Sequence, residues 1–259
     1  MVIGLLSLSA CSKYQKLLKS TNYEKKYETA VKLYNSKDYY RALQLFDELA
    51  IVYRGKPQGE LISYYTAYSY FKQGDNVMAS YYFKSFSRQY PKSQYTEECT
   101  YMSAYCKYAD SPETSLDQTS TYEAITELQL FINYYPQSKR VDDANKLIDE
   151  LRAKLAQKAF DNAYLYYKTE SYNAAQIAFQ NVLKDFPETS KKEQVLYYIL
   201  KSRAKYADMS VDAKKEERYE EVIKAYNNFA GSFPESHYSS EARLIYQDVL
   251  KKLAKYKQN

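Results

Sequence analysis

Four aromatic–proline pairs punctuate this chain, in QYPKS, YYPQS, DFPET and SFPES, with prolines at Pro91, Pro136, Pro187 and Pro234. The spacings are 45, 51 and 47 residues. Each pair closes an apolar run of helical period and precedes a polar segment from which a new helical pattern starts. Proline lacks an N–H and pushes the residue before it out of the helical region, so each pair ends a helix. A unit recurring at this length predicts a stack of helical repeats in which neighbours supply the core that no single helix pair can bury.

The pattern inside each unit is that of tetratricopeptide (TPR) repeats. In LISYYTAYSYFKQGDNVMASYYFKSFSRQYP, Ala67 is where the first helix (A) approaches the second (B), and Gly74-Asp75 makes the turn. Ala79, Phe83, Phe86 and Pro91 then take the small, aromatic, core and terminator positions of helix B. Ala163, Tyr172, Ala175, Phe179, Val182 and Pro187 repeat the scheme, as do Ala30, Tyr39, Ala42, Phe46 and Leu49. Only five glycines are present, which speaks against an all-β fold with many tight turns. The expectation is an all-α TPR superhelix of about five repeats with a C-terminal capping helix. Loops at 110–121 and 209–217 stretch two of its units.

The first ten residues carry no charge and reach about 15 Å as a helix, half of a bilayer core. Leu8-Ser9-Ala10-Cys11 resembles the lipobox of bacterial lipoproteins. That resemblance implies a signal peptide at 1–10, a covalent lipid on Cys11, and a linker through residue 22. Two or more acyl chains anchor a protein stably where one does not. By the same resemblance, Ser12 in place of the aspartate that holds enterobacterial lipoproteins at the inner membrane implies the outer membrane. The remaining division is expected at 23–136 for repeats 1–3 and 137–259 for repeats 4–5 and the cap.

Reactive chemistry finds little support. His237 is the sole histidine and sits in a loop, FPESHYSS, without a Cys or second His at ligand spacing. Cys99 and Cys106 lie seven apart on one predicted helix, about 10 Å by helical rise and beyond the ~7 Å a disulfide spans, so both are expected reduced and buried. Ser202-Arg203-Ala204-Lys205 matches S-x-x-K but lacks its companion motifs. Neither phosphate-binding glycine signature occurs. The net charge of +5 is spread along the chain without a basic block, so the signal for nucleic acid or an anionic membrane surface is weak. The expectations are a non-enzyme with no catalytic residues, no metal and no cofactor beyond the lipid on Cys11.

Thirty-three tyrosines and no tryptophan give the chain its character. Tyr64, Tyr68 and Phe71 in helix A of repeat 2, and Tyr101, Tyr105 and Tyr108 in helix A of repeat 3, follow i, i+4, i+7 spacing and so share one face. Tyr27 and Tyr34 join from repeat 1, and repeat 4 carries Phe160, Tyr164 and Tyr167 in the same register. Such rings offer rigid apolar bodies with polar tips, suited to gripping an extended peptide, or equally to packing one A helix on the next.

Lipobox, five repeats and length together resemble the BamD family, lipoproteins of the outer-membrane β-barrel assembly machine. The most specific stretch runs from FINYYPQSKR through DFPETS: Tyr135-Pro136-Gln137-Ser138, Asp142-Asp143-Ala144, Lys154-Leu155-Ala156, Ala163 to Tyr167, Tyr172 with Ala174-Ala175, and Phe186-Pro187-Glu188-Thr189. The resemblance implies a scaffold on the periplasmic face of the outer membrane. N-terminal repeats would engage unfolded β-barrel clients, through Tyr27, Tyr34, Tyr64, Tyr68, Phe71, Tyr101, Tyr105 and Tyr108. C-terminal repeats would dock the POTRA-containing barrel assembly protein (BamA-type), with Arg152 and Lys154 as docking residues, and other assembly lipoproteins could join. The alternative is another periplasmic TPR lipoprotein, of the cell-division, peptidoglycan-coordination or glycan-capture type. The first two often carry a longer N-terminal coiled coil than Ser12–Lys26 allows, and the last needs Trp-rich platforms.

Overall fold

The structure, a computed structural model, describes residues 13–256, and these are helices joined by turns and loops, with no strand among them. Met1–Ala10, the expected signal peptide, and Cys11, the expected lipid site, lie outside the described residues. Residues 13–18 are helical. Five hairpins follow: α1 (Tyr23–Asn35) with α2 (Tyr39–Val52), α3 (Pro57–Lys72) with α4 (Asn76–Gln89), α5 (Thr96–Ala109) with α6 (Thr119–Tyr134), α7 (Val141–Lys168) with α8 (Tyr172–Asp185), and α9 (Lys192–Asp208) with α10 (Asp212–Ser232). The closing helix is α11 (Ser239–Tyr256). The architecture is the expected TPR-type series of five repeats and a terminal helix.

Two recurring backbone devices explain the period. Tyr90, Tyr135, Phe186 and Phe233 end α4, α6, α8 and α10 in near-identical non-helical conformations, φ −125° to −138° and ψ 60° to 68°. Each is driven there by the proline after it. The hydroxyl two residues past that proline then accepts a backbone N–H: Ser93 from Tyr95, Ser138 from Arg140, Thr189 from Lys191 and Ser236 from Tyr238. The pattern aromatic-Pro-x-Ser/Thr is thus a helix stop followed by a side-chain-closed turn.

The second device sits between helices A and B. Lys37, Gly74 and Glu170 each stand one residue before the B helix's N-cap and each has positive φ, 65°, 81° and 59°. In all three the N–H bonds a carbonyl three residues back, and the next N–H one five back. Asp38 and Asp75 then cap α2 and α4 by accepting from Arg41 and Met78. Repeat 2 uses glycine at the left-handed position; repeats 1 and 4 hold a lysine and a glutamate there, against their steric preference.

The chain divides into two compact units, the first taking the described residues up to Glu113 together with Asp117–Ile148, the second Thr114–Leu116 and the residues from Asp149 on. In the first unit the core carries Phe46, Phe83, Phe86, Leu128 and Phe131, all essentially inaccessible, with Cys99 and Cys106 free and buried among them. In the second, Phe160, Phe179, Tyr197, Val222 and Phe229 form one cluster. Fully burying a ring of this kind contributes about 1.5–3 kcal/mol. The helices pack chiefly on their neighbours in the chain.

The two expected loops differ from each other. At 209–217 the structure overturns the expectation: α10 begins at Asp212, so most of the insertion is helix. Lys, Glu and Arg are good helix formers, and Lys215 pairs with Asp212 one turn back, at 3.0 Å. Residues 110–118 are a loop, held by Gln118, which is buried and bonds Glu113 and Thr121. Within the second unit, Lys158 Nζ donates to the carbonyls of Thr114, Ser115 and Leu116, at 3.1, 3.1 and 2.6 Å. That one ammonium explains why three loop residues belong with α7.

Candidate functional site

Helix A of repeats 2 and 3 builds an aromatic strip in the first unit. Ring centroids lie 4.8 Å apart for Tyr64–Tyr68, 6.4 Å for Tyr68–Phe71 and 6.1 Å for Phe71–Tyr105. Tyr105 continues it to Tyr101 (6.2 Å) and Tyr108 (5.9 Å). Six of the eight positions expected to engage the client are therefore contiguous. Tyr34 joins through Tyr65, 4.5 Å away, which in turn meets Tyr64 at 5.9 Å. Tyr27 leans instead on Tyr53, at 5.9 Å.

These rings serve packing and surface at once. Tyr101 is buried, 6% exposed, against Phe131 at 5.3 Å. The other seven are half-buried, so each gives one side to the helix interface and leaves part of the ring accessible. Packed rings present a stiff surface, because little side-chain entropy remains to lose on binding.

A carboxylate organises the strip, and residue spacing gave no sign of it. Glu98, in the first turn of α5, accepts from Tyr68 Oη at 2.5 Å and from Tyr64 Oη at 3.2 Å. Arg140 lies 3.7 Å from the same carboxylate and stacks 4.7 Å over the Tyr101 ring. Both phenols are pushed well above their ordinary range, first by burial and then by the anionic Glu98, so they stay protonated donors. The sequence signal available was a glutamate at a helix start, which reads as a charge favoured by the helix dipole.

The second unit repeats the device with other parts. Phe160, Tyr164 and Tyr167 of α7 surround Tyr198 of α9 at 6.1, 5.0 and 5.2 Å. Lys201 Nζ sits 5.2 Å from the Tyr197 ring and 5.8 Å from Tyr167, and pairs with Glu241 at 2.9 Å. Tyr198 is pushed up to about 12, chiefly by burial and then by its bond with Tyr164. Arg152, an expected docking residue, is exposed on α7, while Lys154 beside it is half-buried.

Cys99 and Cys106 are buried and their thiols pushed up, Cys106 to about 12, chiefly by desolvation, so neither offers a thiolate at neutral pH. His237 is exposed and faces Glu193 at 3.7 Å. Among the described residues, no group of three or more His, Cys, Asp or Glu is placed to hold a metal ion, and no helix is long and apolar enough to cross a membrane.

Over residues 19–222 the chain matches the family model YfiO, described as outer membrane lipoprotein. It is 29% identical over 236 residues to the outer membrane protein assembly factor BamD of Aquifex aeolicus (strain VF5), covering 86% of this chain and 76% of that protein. Among solved structures it resembles a kinesin light chain with nearly identical TPR-like repeats from Podosopora anserina, at 11% identity and a TM-score of 0.33, over 79% of this chain and 94% of that one.

Proposed function

The chain belongs to the YfiO family of outer membrane lipoproteins, and from that premise we propose that it is an assembly factor for outer-membrane β-barrel proteins. It works as a scaffold that holds other polypeptides and makes or breaks no bonds. The observation that carries this reading is its similarity, over 86% of its length, to a protein named as such a factor.

In this reading Cys11 bears the lipid after residues 1–10 are removed, which tethers the chain to the periplasmic face of the membrane. Repeats 1–3, residues 23–136, take the unfolded client. The strip of Tyr34, Tyr64, Tyr68, Phe71, Tyr101, Tyr105 and Tyr108, with Tyr27 beside it, supports that role. Its half-buried rings, all but the buried Tyr101, offer apolar faces, and an aromatic-rich extended strand has alternate side chains to lay against them. Repeats 4–5 and the cap, residues 137–259, dock the POTRA-containing barrel assembly protein of the BamA type, with Arg152 and Lys154 at the contact. Other assembly lipoproteins could attach to the same scaffold.

Co-purification tests the partner: the lipoprotein should bring down a POTRA-containing barrel protein. Depletion should lower the levels of several barrel proteins in the outer membrane together. A photo-crosslinker at Tyr105 should capture unfolded barrel chains, and one at exposed Leu244 should not. Normal barrel levels after depletion would refute the proposal and favour a cell-envelope scaffold of another kind.

A further inference from the structure

The residues between the expected lipid site and the first repeat are built into that repeat. Tyr14 Oη donates to the Arg41 carbonyl at 2.8 Å and to Gln44 Oε1 at 2.9 Å, and the Arg41 guanidinium lies 5.5 Å from its ring. Leu17 and Leu18 pack against the cluster of Ala30, Leu45, Phe46, Leu49 and Ile62. Lys26 of α1 is 1% exposed: its ammonium donates to the Leu18 carbonyl at 3.0 Å and pairs with Glu48. A buried ammonium is costly unless fully partnered, and here one partner is a carbonyl of residues 13–18. Lys26 therefore depends on this segment being docked. Ser20 closes the turn into α1 by accepting from the Asn22 N–H at 3.1 Å.

Docking fixes which side faces out. With Tyr14, Leu17 and Leu18 turned inward, Lys13, Lys16 and Lys19 are left exposed. Chain geometry then bounds the distance of Lys13, the nearest of the three, from the lipid site. Lys13 stands two positions after Cys11, and fully extended chain spans about 3.3–3.6 Å per residue, so the two Cα atoms lie within about 7 Å whatever course the chain takes. That is shorter than the Debye length of about 8 Å at physiological ionic strength.

We propose that residues 13–19 form a seat for the membrane surface, their apolar side fastened to repeat 1 and Lys13, Lys16 and Lys19 binding the phosphates of anionic phospholipid headgroups. Repeat 1 is then held against the bilayer by a short tether and an electrostatic contact, and does not swing on a free linker. This rests on Cys11 being the lipid-bearing residue.

The test uses the chain beginning at Cys11, with a maleimide-linked diacyl lipid coupled to that thiol; the buried, alkaline-shifted Cys99 and Cys106 do not compete. The protein has no tryptophan, so Tyr40→Trp supplies a single reporter at a 66% exposed position near Tyr14. On phosphatidylethanolamine–phosphatidylglycerol vesicles with spin-labelled headgroups, its emission should be quenched. A flexible linker of about twenty Gly and Ser residues after Ser12, roughly 25 Å end to end, combined with Lys13→Gln, Lys16→Gln and Lys19→Gln, should abolish that quenching while the protein still floats with the vesicles. Equal quenching in the two proteins overturns the proposal. Without the lipid, partitioning onto the same vesicles should weaken roughly fivefold per lysine replaced, and a triple variant that binds like the parent also overturns it. Mass spectrometry of the native N-terminus separately decides whether Cys11 is acylated in the cell; a bare cysteine there defeats the anchor reading without altering the vesicle result.

Discussion

Glu98→Gln should weaken the first unit by about 2 kcal/mol. The carboxylate accepts from two tyrosine hydroxyls, Tyr68 at 2.5 Å and Tyr64 at 3.2 Å, and faces Arg140 at 3.7 Å. Glutamine keeps the shape but loses the charge, and one of its two terminal atoms can only donate. Hydrogen bonds to an ionised acceptor contribute about 1.5–3 kcal/mol against about 0.5–1.5 kcal/mol for neutral ones, so two downgraded bonds lose about 1 kcal/mol each. The Arg140 pair adds little, because its two side chains are 40% and 33% exposed and such pairs contribute about 0–1 kcal/mol. Urea denaturation reads the result as a lower midpoint at unchanged slope. Ultraviolet titration gives an independent check: without the anion, Tyr64 and Tyr68 should ionise at lower pH than in the parent. A loss below about 0.5 kcal/mol, with tyrosine titration unmoved, would mean that water serves the two hydroxyls as well as Glu98 does, and the proposed organising role would fail.

Alkaline pH should destabilise the fold through its buried tyrosines. Tyr14, Tyr34, Tyr70 and Tyr219 are each pushed up to about 12, chiefly by burial, so the unfolded chain loses tyrosine protons near pH 10 while the fold retains them. Their contribution is complete below about pH 10 and is lost as pH rises through about 12; a denaturation midpoint level across that window would contradict this. Gly59→Ala should cost about 1–3 kcal/mol, since the new Cβ would stand 2.4 Å from the Tyr53 carbonyl oxygen. Gly231→Ala, with nothing within 4 Å, should cost nothing in the same thermal melt. Lys37→Gly and Glu170→Gly should each stabilise by roughly 1 kcal/mol by relieving a left-handed residue, and a fall in melting temperature would show that these side chains do more than occupy a turn.

The repeat architecture was legible because its punctuation is chemical. An aromatic before proline ends a helix the same way four times, and that regularity survives insertions. Repeat 1 lacks the proline and ends at Tyr53 by a different turn, with Gly55 at φ 77°. The tyrosine strip was legible as spacing along single helices, since i, i+4 and i+7 share a face. What joins the helices was not. Glu98 meets Tyr64 and Tyr68 from 34 and 30 residues away, across different helices, and no local pattern records such a meeting. Lys26 was similarly hidden in the charged string YEKKYE, although it lies four residues before the buried Ala30 and so on the inward stripe of α1. At 209–217, length in excess of the repeat reads as a loop, whereas the composition of the segment favours more helix.

The preference of each helix for its neighbour in the chain has a consequence in time as well as in space. Folds made of local contacts form quickly, because little loop-closure entropy must be overcome before a contact is rewarded. A polypeptide threaded across a membrane with its amino end leading arrives piecemeal. Here four of the five hairpins end in their own aromatic–proline stop, so condensation can keep pace with arrival and few greasy surfaces wait for a distant mate.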